Sequence, residues 1–309
     1  MINIDVVIPV FNNAQSIPIV VQEISSYNSP SQRFRIFLID DGSSDESWET
    51  IQSLVKCKQY DVLGVKLTKN FGQLAAMKTG YRLATGDAVV SISADLQDPS
   101  ELVNKMKVQW EKGSPLVICS RKNRQDSLLI KITSAVAYKI LGMEVPGIPK
   151  GGFDTFLMDK RIYEQLNMLK GRFNFLQADI LSFGFEPSII EYERVTRPFG
   201  KSGYNLRKRF INFAHGLIDS SYFFIRWTTR VGVIVTVLGV TLAALLVIAK
   251  IQGDAPFDGF TLIACSVLII GGVQISLTGV LGSYIWRIYD ATRERPSAVI
   301  EKIEGFKDT

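Results

Sequence analysis

The sequence predicts an α/β domain built on a mostly parallel sheet, followed by interfacial helices and a two-helix membrane hairpin. Three observations carry this expectation. Short β-branched runs alternate with amphipathic stretches over the first 120 or so residues; acidic clusters stand where two of those runs end; and two long uncharged stretches lie near the C-terminus of the 309-residue chain.

Taken in order, strands are expected at 5–10, 34–39, 62–67, 88–93 and 116–119. Helices are expected between them at 16–27, 46–56, 73–84 and 99–111. The last opens with Asp98-Pro99-Ser100-Glu101, a capping residue followed by proline at the first turn. Asp45 is likewise read as a cap of the helix after it. Strand-helix alternation implies right-handed crossovers and a buried, largely parallel sheet. The first ten residues have no cationic leader and Asp5 interrupts their apolar run, so no secretory signal is expected.

Residues 231–249 are uncharged, and at 1.5 Å per residue they span about 28 Å, close to the hydrocarbon thickness of a bilayer. A second uncharged stretch, 259–286, follows a turn containing Lys250, Asp254 and Asp258. Two buried core helices are the competing reading, but core helices seldom avoid charge for so long. Arg207, Lys208, Arg209, Arg226 and Arg230 precede the first stretch, and Arg287, Arg293, Arg295 and Lys302 follow the second. The positive-inside rule therefore puts both ends in the cytoplasm. Residues 204–227 mix the basic cluster with Phe210, Phe213, Tyr222, Phe223 and Phe224, as interfacial helices do; an ordinary packing helix shares the pattern. The expected organisation is a catalytic domain over 1–203, juxtamembrane helices over 204–228, two spans over 229–287 and a cytoplasmic tail over 288–309. Deleting 229–309 is expected to leave nucleotide binding intact. Gly232, Gly239, Gly271, Gly272, Gly279 and Gly282 permit close helix approach and a homo-oligomer.

Composition narrows the chemistry. With 35 Lys+Arg against 30 Asp+Glu, the net charge of +5 is too mild to imply nucleic acid. Cys57, Cys119 and Cys265 are odd in number and far apart, and His215 is the single histidine. Disulfide frameworks, zinc sites and His-rich centres are thereby disfavoured. No GxxxxGK[ST] occurs, nor a GxGxxG after the first strand, which argues against ATPases and nicotinamide dehydrogenases. In an open parallel sheet, ligands bind beyond the carboxyl ends of the strands. There the sequence places Asp40-Asp41-Gly42-Ser43-Ser44-Asp45 and Ser93-Ala94-Asp95-Leu96-Gln97-Asp98. Carboxylates so placed accept from a base N–H or a ribose hydroxyl, and tolerate phosphate only with a divalent cation between. A nucleotide with a metal ion is implied.

These clusters, with Ile8-Pro9-Val10-Phe11-Asn12, Asn70-Phe71-Gly72, Arg197-Pro198-Phe199-Gly200-Lys201-Ser202 and the two apolar stretches, resemble the GT-A family 2 glycosyltransferases. The similar subgroup is the polyisoprenyl-phosphate glycosyltransferases, which includes dolichol-phosphate mannose synthases and bactoprenol glucosyltransferases. The resemblance covers essentially the whole chain. It implies a GT-A, Rossmann-like domain whose Asp40 and Asp41 hold base and ribose beside Pro9, Phe11, Asn12 and Ala94. It implies that Asp95, as the second aspartate of a DxD, and Gln97 bind Mg²⁺ or Mn²⁺. Asp154 falls at the family's proposed catalytic aspartate, and Arg121 and Lys131 where basic residues meet the acceptor phosphate. Arg197, Lys201 and Ser202 belong to a loop over the donor diphosphate.

The implied reaction is inverting transfer of one sugar from a nucleotide-diphosphate sugar, a UDP-hexose, to a polyprenyl phosphate of the undecaprenyl type. Its implied place is the cytoplasmic face of a bacterial inner membrane, with no nucleic-acid partner. Four departures stand out: Ser93 at the first DxD position, Asn13 where many relatives have glutamate, Gly203 where a lysine often follows the loop serine, and Thr155-Phe156 where relatives often carry Phe-Arg. Two rival readings stay open: a catalytically weak membrane scaffold, suggested by Ser93, and a processive polysaccharide synthase, against which stand the two spans and the missing QxxRW.

Overall fold

A computed structural model describes residues 1–122, 148–149, 152–169, 176–195, 259–292 and 296–306, together with 234, 237, 241, 244, 245, 248 and 251. The elements are β1 Ile2–Val10, α1 Ile17–Ser25, β2 Gln32–Asp40, α2 Ser47–Lys56, β3 Val62–Leu67, α3 Gln73–Leu83, β4 Ala88–Ser91, α4 Glu101–Glu111 and β5 Leu116–Arg121. After them come β6 Thr155–Asp159, α5 Lys160–Met168, α6 Leu176–Ser182, β7 Ser188–Tyr192, α7 Gly259–Thr292 and β8 Ile300–Glu304. The alternation through β5 matches the expectation, with ends shifted by a few residues.

One eight-stranded sheet runs in the order β7-β5-β6-β4-β1-β2-β3-β8. The pairs β1·β2, β1·β4, β2·β3 and β5·β7 are parallel, whereas β6 enters antiparallel between β4 and β5, and β8 lies antiparallel on β3. β1 reads as a nearly continuous apolar run because helices cover both faces. On one side Ile4, Val6, Ile8 and Val10 pack with Val20, Ile24, Ile51, Val103 and Met106 of α1, α2 and α4. On the other, Val7 packs with Met77, Tyr81, Ile162, Leu166 and Ile180 of α3, α5 and α6. Asp5, which breaks the apolar run, is fully buried. Its carboxylate accepts from Arg35 Nε and Nη2 at 2.7 and 2.9 Å, and from the amides of Thr85 and Gly86 at 2.7 and 2.8 Å. A buried charge is tolerated when so fully bonded, and this one fixes the turn entering β4.

The C-terminal segment, expected only as a cytoplasmic tail, contributes a strand that the sequence reading does not anticipate. Residues 300–304 form β8, with Thr68 N donating to Val299 O at 3.0 Å and Gln52 Nε2 donating to Glu304 Oε1 at 2.9 Å. Among the described residues no helix is long and apolar enough to cross a membrane, so the expected hairpin is not seen there. The first expected span is described at seven helical positions only. The second coincides with the 34-residue helix α7, of which many side chains lie outside the described residues.

Candidate active site

All the parallel strands deliver their carboxyl ends to one rim, and β6 and β8, being antiparallel, deliver their amino ends to it. Read across the sheet, that rim carries Tyr192 and Arg194 at β7, Arg121 at β5, Asp154 at β6, Asp95 beyond β4, residues 9–12 at β1, and Asp40 and Asp41 at β2. With strands about 4.8 Å apart, the ends of β2 and β4 stand about 10 Å apart across β1.

At β2 the two adjacent aspartates are used differently. Asp41, 3% exposed, accepts from the amides of Phe71 and Gly72, at 2.7 Å on Oδ1 and 2.9 Å on Oδ2. It thus binds down the loop between β3 and α3. Asp40 is fully buried and accepts from Ser43 N at 3.1 Å on Oδ1, while Oδ2 has no hydrogen-bond partner among the described residues. Burial is the main cause that raises both carboxyls above their ordinary value, opposed at Asp40 by Ser43 and at Asp41 by the two loop amides. Gly42 joins this turn to the loop: its φ is +68°, and a Cβ there would lie 2.5 Å from the Lys69 carbonyl carbon. Asn12, at φ 54°, braces the other wall by accepting from Ser44 N at 2.8 Å and donating its amide to Ser43 Oγ at 3.0 Å. Pro9 lies in β1 beside Ile39, and Phe11 stands 45% exposed at its mouth. Asp45 accepts from Ser47 N at 3.1 Å and Ala14 N at 3.2 Å just ahead of α2, whose N-cap position is held by Glu46 rather than by Asp45 as expected.

Beyond β4, Ala94 and Asp95 are buried, and Asp95 Oδ1 accepts from Gln97 N at 3.2 Å. Leu96 between them adopts a left-handed φ of 56°, a strained state for leucine of the kind that concentrates at functional sites. Asp98 does not cap α4 as expected. It is 2% exposed and turns across the sheet to accept from Tyr192 Oη at 2.6 Å and Thr155 Oγ1 at 2.9 Å. Arg121 Nη2 pairs with Asp154 Oδ2, and Arg121 Nε donates to Tyr192 Oη at 3.4 Å. Burial works against the Arg121 charge, but Asp154 and then Tyr192 more than offset it and hold the guanidinium protonated. Lys131, Arg197, Lys201 and Ser202 lie outside the described residues. Sequence reading missed Tyr192 and Arg194, since only the β5·β7 pairing brings them to the rim.

The oxygens of Asp95, Ser93 and Gln97 are hard donors. Among the described residues no group of three or more His, Cys, Asp or Glu could hold a metal unaided. Such a donor set fits Mg²⁺ or Mn²⁺ shared with phosphate oxygens of a ligand, the usual manner for Mg²⁺.

Comparison with known proteins identifies the family and supports the fold. The model of the family "Glycosyl transferase family 2" matches residues 5–180. The bactoprenol glucosyl transferase of Shigella phage SfX is 32% identical over 301 residues, 96% of this chain and 98% of that protein. The undecaprenyl-phosphate 4-deoxy-4-formamido-L-arabinose transferase of Yersinia enterocolitica is 32% identical over 313 residues, 99% of this chain and 95% of that protein. Among solved structures, glucosyl-3-phosphoglycerate synthase from Mycobacterium tuberculosis, in complex with Mn²⁺, UDP-glucose and phosphoglyceric acid, matches with a TM-score of 0.53 at 17% identity. That match covers 70% of this chain and 78% of the other, and supports the GT-A-like fold. By the family model it matches and by its identity to these relatives, the chain belongs to glycosyl transferase family 2.

Proposed function

We propose that this enzyme transfers one sugar, with inversion, from a nucleotide-diphosphate sugar of the UDP-hexose type to a polyprenyl phosphate of the undecaprenyl type, at the cytoplasmic leaflet of a bacterial inner membrane. The observation that carries the reading is the order along the rim: base-side carboxylates at β2, the oxygen donors after β4, then Asp154 and Arg121 at β6 and β5. Donor and acceptor can therefore lie end to end. The names of the Shigella phage and Yersinia relatives support a bactoprenol or undecaprenyl phosphate acceptor.

In the proposed step an acceptor phosphate oxygen attacks the anomeric carbon, the bond from that carbon to the diphosphate oxygen breaks, and the nucleoside diphosphate leaves. A divalent cation held by Asp95 and Gln97 would supply charge neutralisation on the diphosphate. Asp40, with an unpartnered oxygen in a buried wall, is suited to accept from a base N–H or ribose hydroxyl. Arg121 is placed to bind the acceptor phosphate, with Asp154 beside it to orient the attack. A phosphate monoester has a second pKa near 6, so the acceptor is largely dianionic at pH 7 and needs little base catalysis.

Membrane attachment is supported by two features. Ile234, Val237, Leu245, Ile248 and Ile251 are apolar, helical and each at least half exposed. On α7, Ile263, Val267, Ile270, Leu281, Ile285 and Ile288 are each more than half exposed. Moreover, the chain leaves the sheet at Tyr192, the end of β7, and rejoins it at Ile300, the start of β8, so any spans between must be even in number. A thermal-shift screen of nucleotide sugars with Mg²⁺ and Mn²⁺, followed by mass analysis of lipid products, tests the proposal. A metal-dependent shift and a polyprenyl phosphate carrying one sugar are expected. No shift with any donor, or a lipid carrying a polymer, would overturn it.

A further inference from the structure

Asp98 lies outside every role assigned above, yet its contacts reach both halves of the rim. Tyr192 Oη donates to Oδ1 at 2.6 Å, Thr155 Oγ1 donates to Oδ2 at 2.9 Å, and Arg194 Nε stands 3.3 Å from Oδ1. Each partner adjoins a residue of the proposed chemistry. Tyr192 Oη accepts from Arg121 Nε at 3.4 Å, Thr155 follows Asp154 in sequence, and Arg194 Nη2 lies 3.9 Å from Asp95 Oδ2. The resulting chain runs Asp154, Arg121, Tyr192, Asp98, Arg194, Asp95, with Tyr192 relaying between Arg121 and Asp98. A buried carboxylate is costly unless fully bonded, and this one is bonded only to groups that touch or adjoin the rim.

We propose that Asp98 is a positioning residue that holds the acceptor side, Arg121 with Asp154, in register with the donor side at Asp95. It acts through Tyr192 on Arg121 and through Arg194 on Asp95, and touches no reacting atom. This rests on the reading of Arg121 as the acceptor-phosphate ligand. The alternative is that Asp98 merely ties β6 and β7 to the loop before α4.

Asp98→Asn suits the test, because the amide can accept from Tyr192 and donate to a rotated Thr155 hydroxyl, so the shape and two contacts survive while the charge is lost. Tyr192→Phe removes the hydroxyl, and with it both the bond to Asp98 and the link to Arg121, while leaving the Asp98 charge in place. The full-length protein in detergent is titrated with a short-chain polyprenyl phosphate by calorimetry and with UDP by thermal shift, alongside sugar-transfer kinetics. Both variants should melt within a few degrees of the wild type and bind UDP as it does. Both should weaken polyprenyl-phosphate binding about tenfold, as loss of groups that orient direct ligands commonly does. The double variant should be no worse than the poorer single, because the two residues act in one chain.

Unchanged acceptor affinity in folded Asp98→Asn would overturn the inference, as would additive losses, or losses of UDP and acceptor affinity that follow a fallen Tm. If the wild type binds polyprenyl phosphate but transfers no sugar, the proposed reaction fails while the binding data still decide the role of Asp98. If the wild type does not bind it, both fall.

Discussion

Phe306 stacks on Phe37 of β2, with ring centroids 5.6 Å apart and planes inclined by 29°. Arg35, the partner of buried Asp5, lies over the same Phe306 ring at 5.9 Å. The segment after β8 is thereby fastened to the middle of the sheet as well as to its edge. An aromatic pair contributes about 0.5–1.5 kcal/mol beyond its burial. At about 2–4 °C per kcal/mol for a domain of this size, Phe306→Ala should lower Tm by several degrees. UDP affinity should not change, because Asp40, proposed to hold the base, lies three residues beyond Phe37, about 10 Å further along β2. Scanning calorimetry with and without UDP measures both, and an unmoved Tm would show that β8 docking is not stabilising.

The β8 pairing also changes how the membrane segment is best removed. Deleting 229–309 takes a strand from the sheet and exposes the β3 edge, a template for aggregation. Replacing 229–291 by a flexible linker while keeping 296–309 should instead give a protein that binds nucleotide normally and glycosylates membrane-embedded polyprenyl phosphate poorly. Comparing transfer to vesicle-borne and detergent-dispersed acceptor is the check; equal rates on vesicles would separate the apolar segment from acceptor access.

The first five strands and four helices were legible because each turn from β to α is marked locally by glycine, asparagine or a capping residue. β8 was not, and its register explains why. A bulge opposite Lys66 and Leu67 sets Lys66 against Lys302 and Leu67 against Ile300, leaving Glu301 over and breaking the two-residue alternation that reveals a strand. Its residues are also mostly exposed and charged. β6 is hidden differently, since its place between β4 and β5 depends on pairing across long sequence separations. The positions of Asp40, Asp41 and Asp95 at or beyond strand ends were legible in the sequence. The division of labour between Asp40 and Asp41 was not, because it depends on the Phe71 and Gly72 amides from another strand-helix loop. Asp98 was misread for the same kind of reason: the local Asp-Pro signature suggests a cap, whereas Tyr192 and Thr155 arrive from far along the chain.

Gly42 offers a test of how the wall proposed to hold the base is assembled. Its left-handed φ and the close backbone of Lys69 and Asn70 leave no room for a side chain, and backbone atoms cannot yield as a flexible side chain does. Gly42→Ala should push the loop before α3 away, loosen the Asp41 clamp and weaken UDP binding about tenfold or more, the equivalent of about 1.4 kcal/mol. Hydrogen exchange at Phe71 and Gly72, whose amides are bound to Asp41, should accelerate in the variant. Protected amides together with normal UDP binding would refute the coupling.

Asp40 sets stability against ligand binding. Burial raises its carboxyl and that of Asp41, so the folded state holds protons that the unfolded chain releases above an ordinary carboxylate value of about 3.9. From there up through the raised values, the contribution of these groups to stability falls as pH rises. Asp40→Asn removes that penalty for one of them. Its Tm relative to the wild type should therefore be more favourable at pH 7.5 than at pH 4.5, while its UDP affinity falls. Melting curves at the two pH values decide this; a difference independent of pH would mean that folding does not raise the Asp40 carboxyl.

Asp95 and Asp154 offer a way to separate the proposed donor side from the proposed acceptor side. Asp95 is 5% exposed beyond β4, whereas the Asp154 side chain is 53% exposed beside Arg121. Removing the first takes away the carboxylate proposed to hold the cation, so Asp95→Ala should abolish both transfer and the Mn²⁺-dependent part of nucleotide-sugar stabilisation. Chelation by EDTA should reproduce that loss in the wild type. Asp154→Asn should keep the nucleotide-sugar shift, because it alters only the acceptor side. Since the acceptor is already ionised, its defect is one of orientation, and misplacing a reacting group by about 1 Å can cost about 100-fold in rate. A pH–rate profile separates orientation from proton removal: the remaining Asp154→Asn activity should follow the wild-type pH dependence, whereas loss of a general base would abolish one limb of the profile. A nucleotide-sugar shift weakened equally in both variants would contradict the separation.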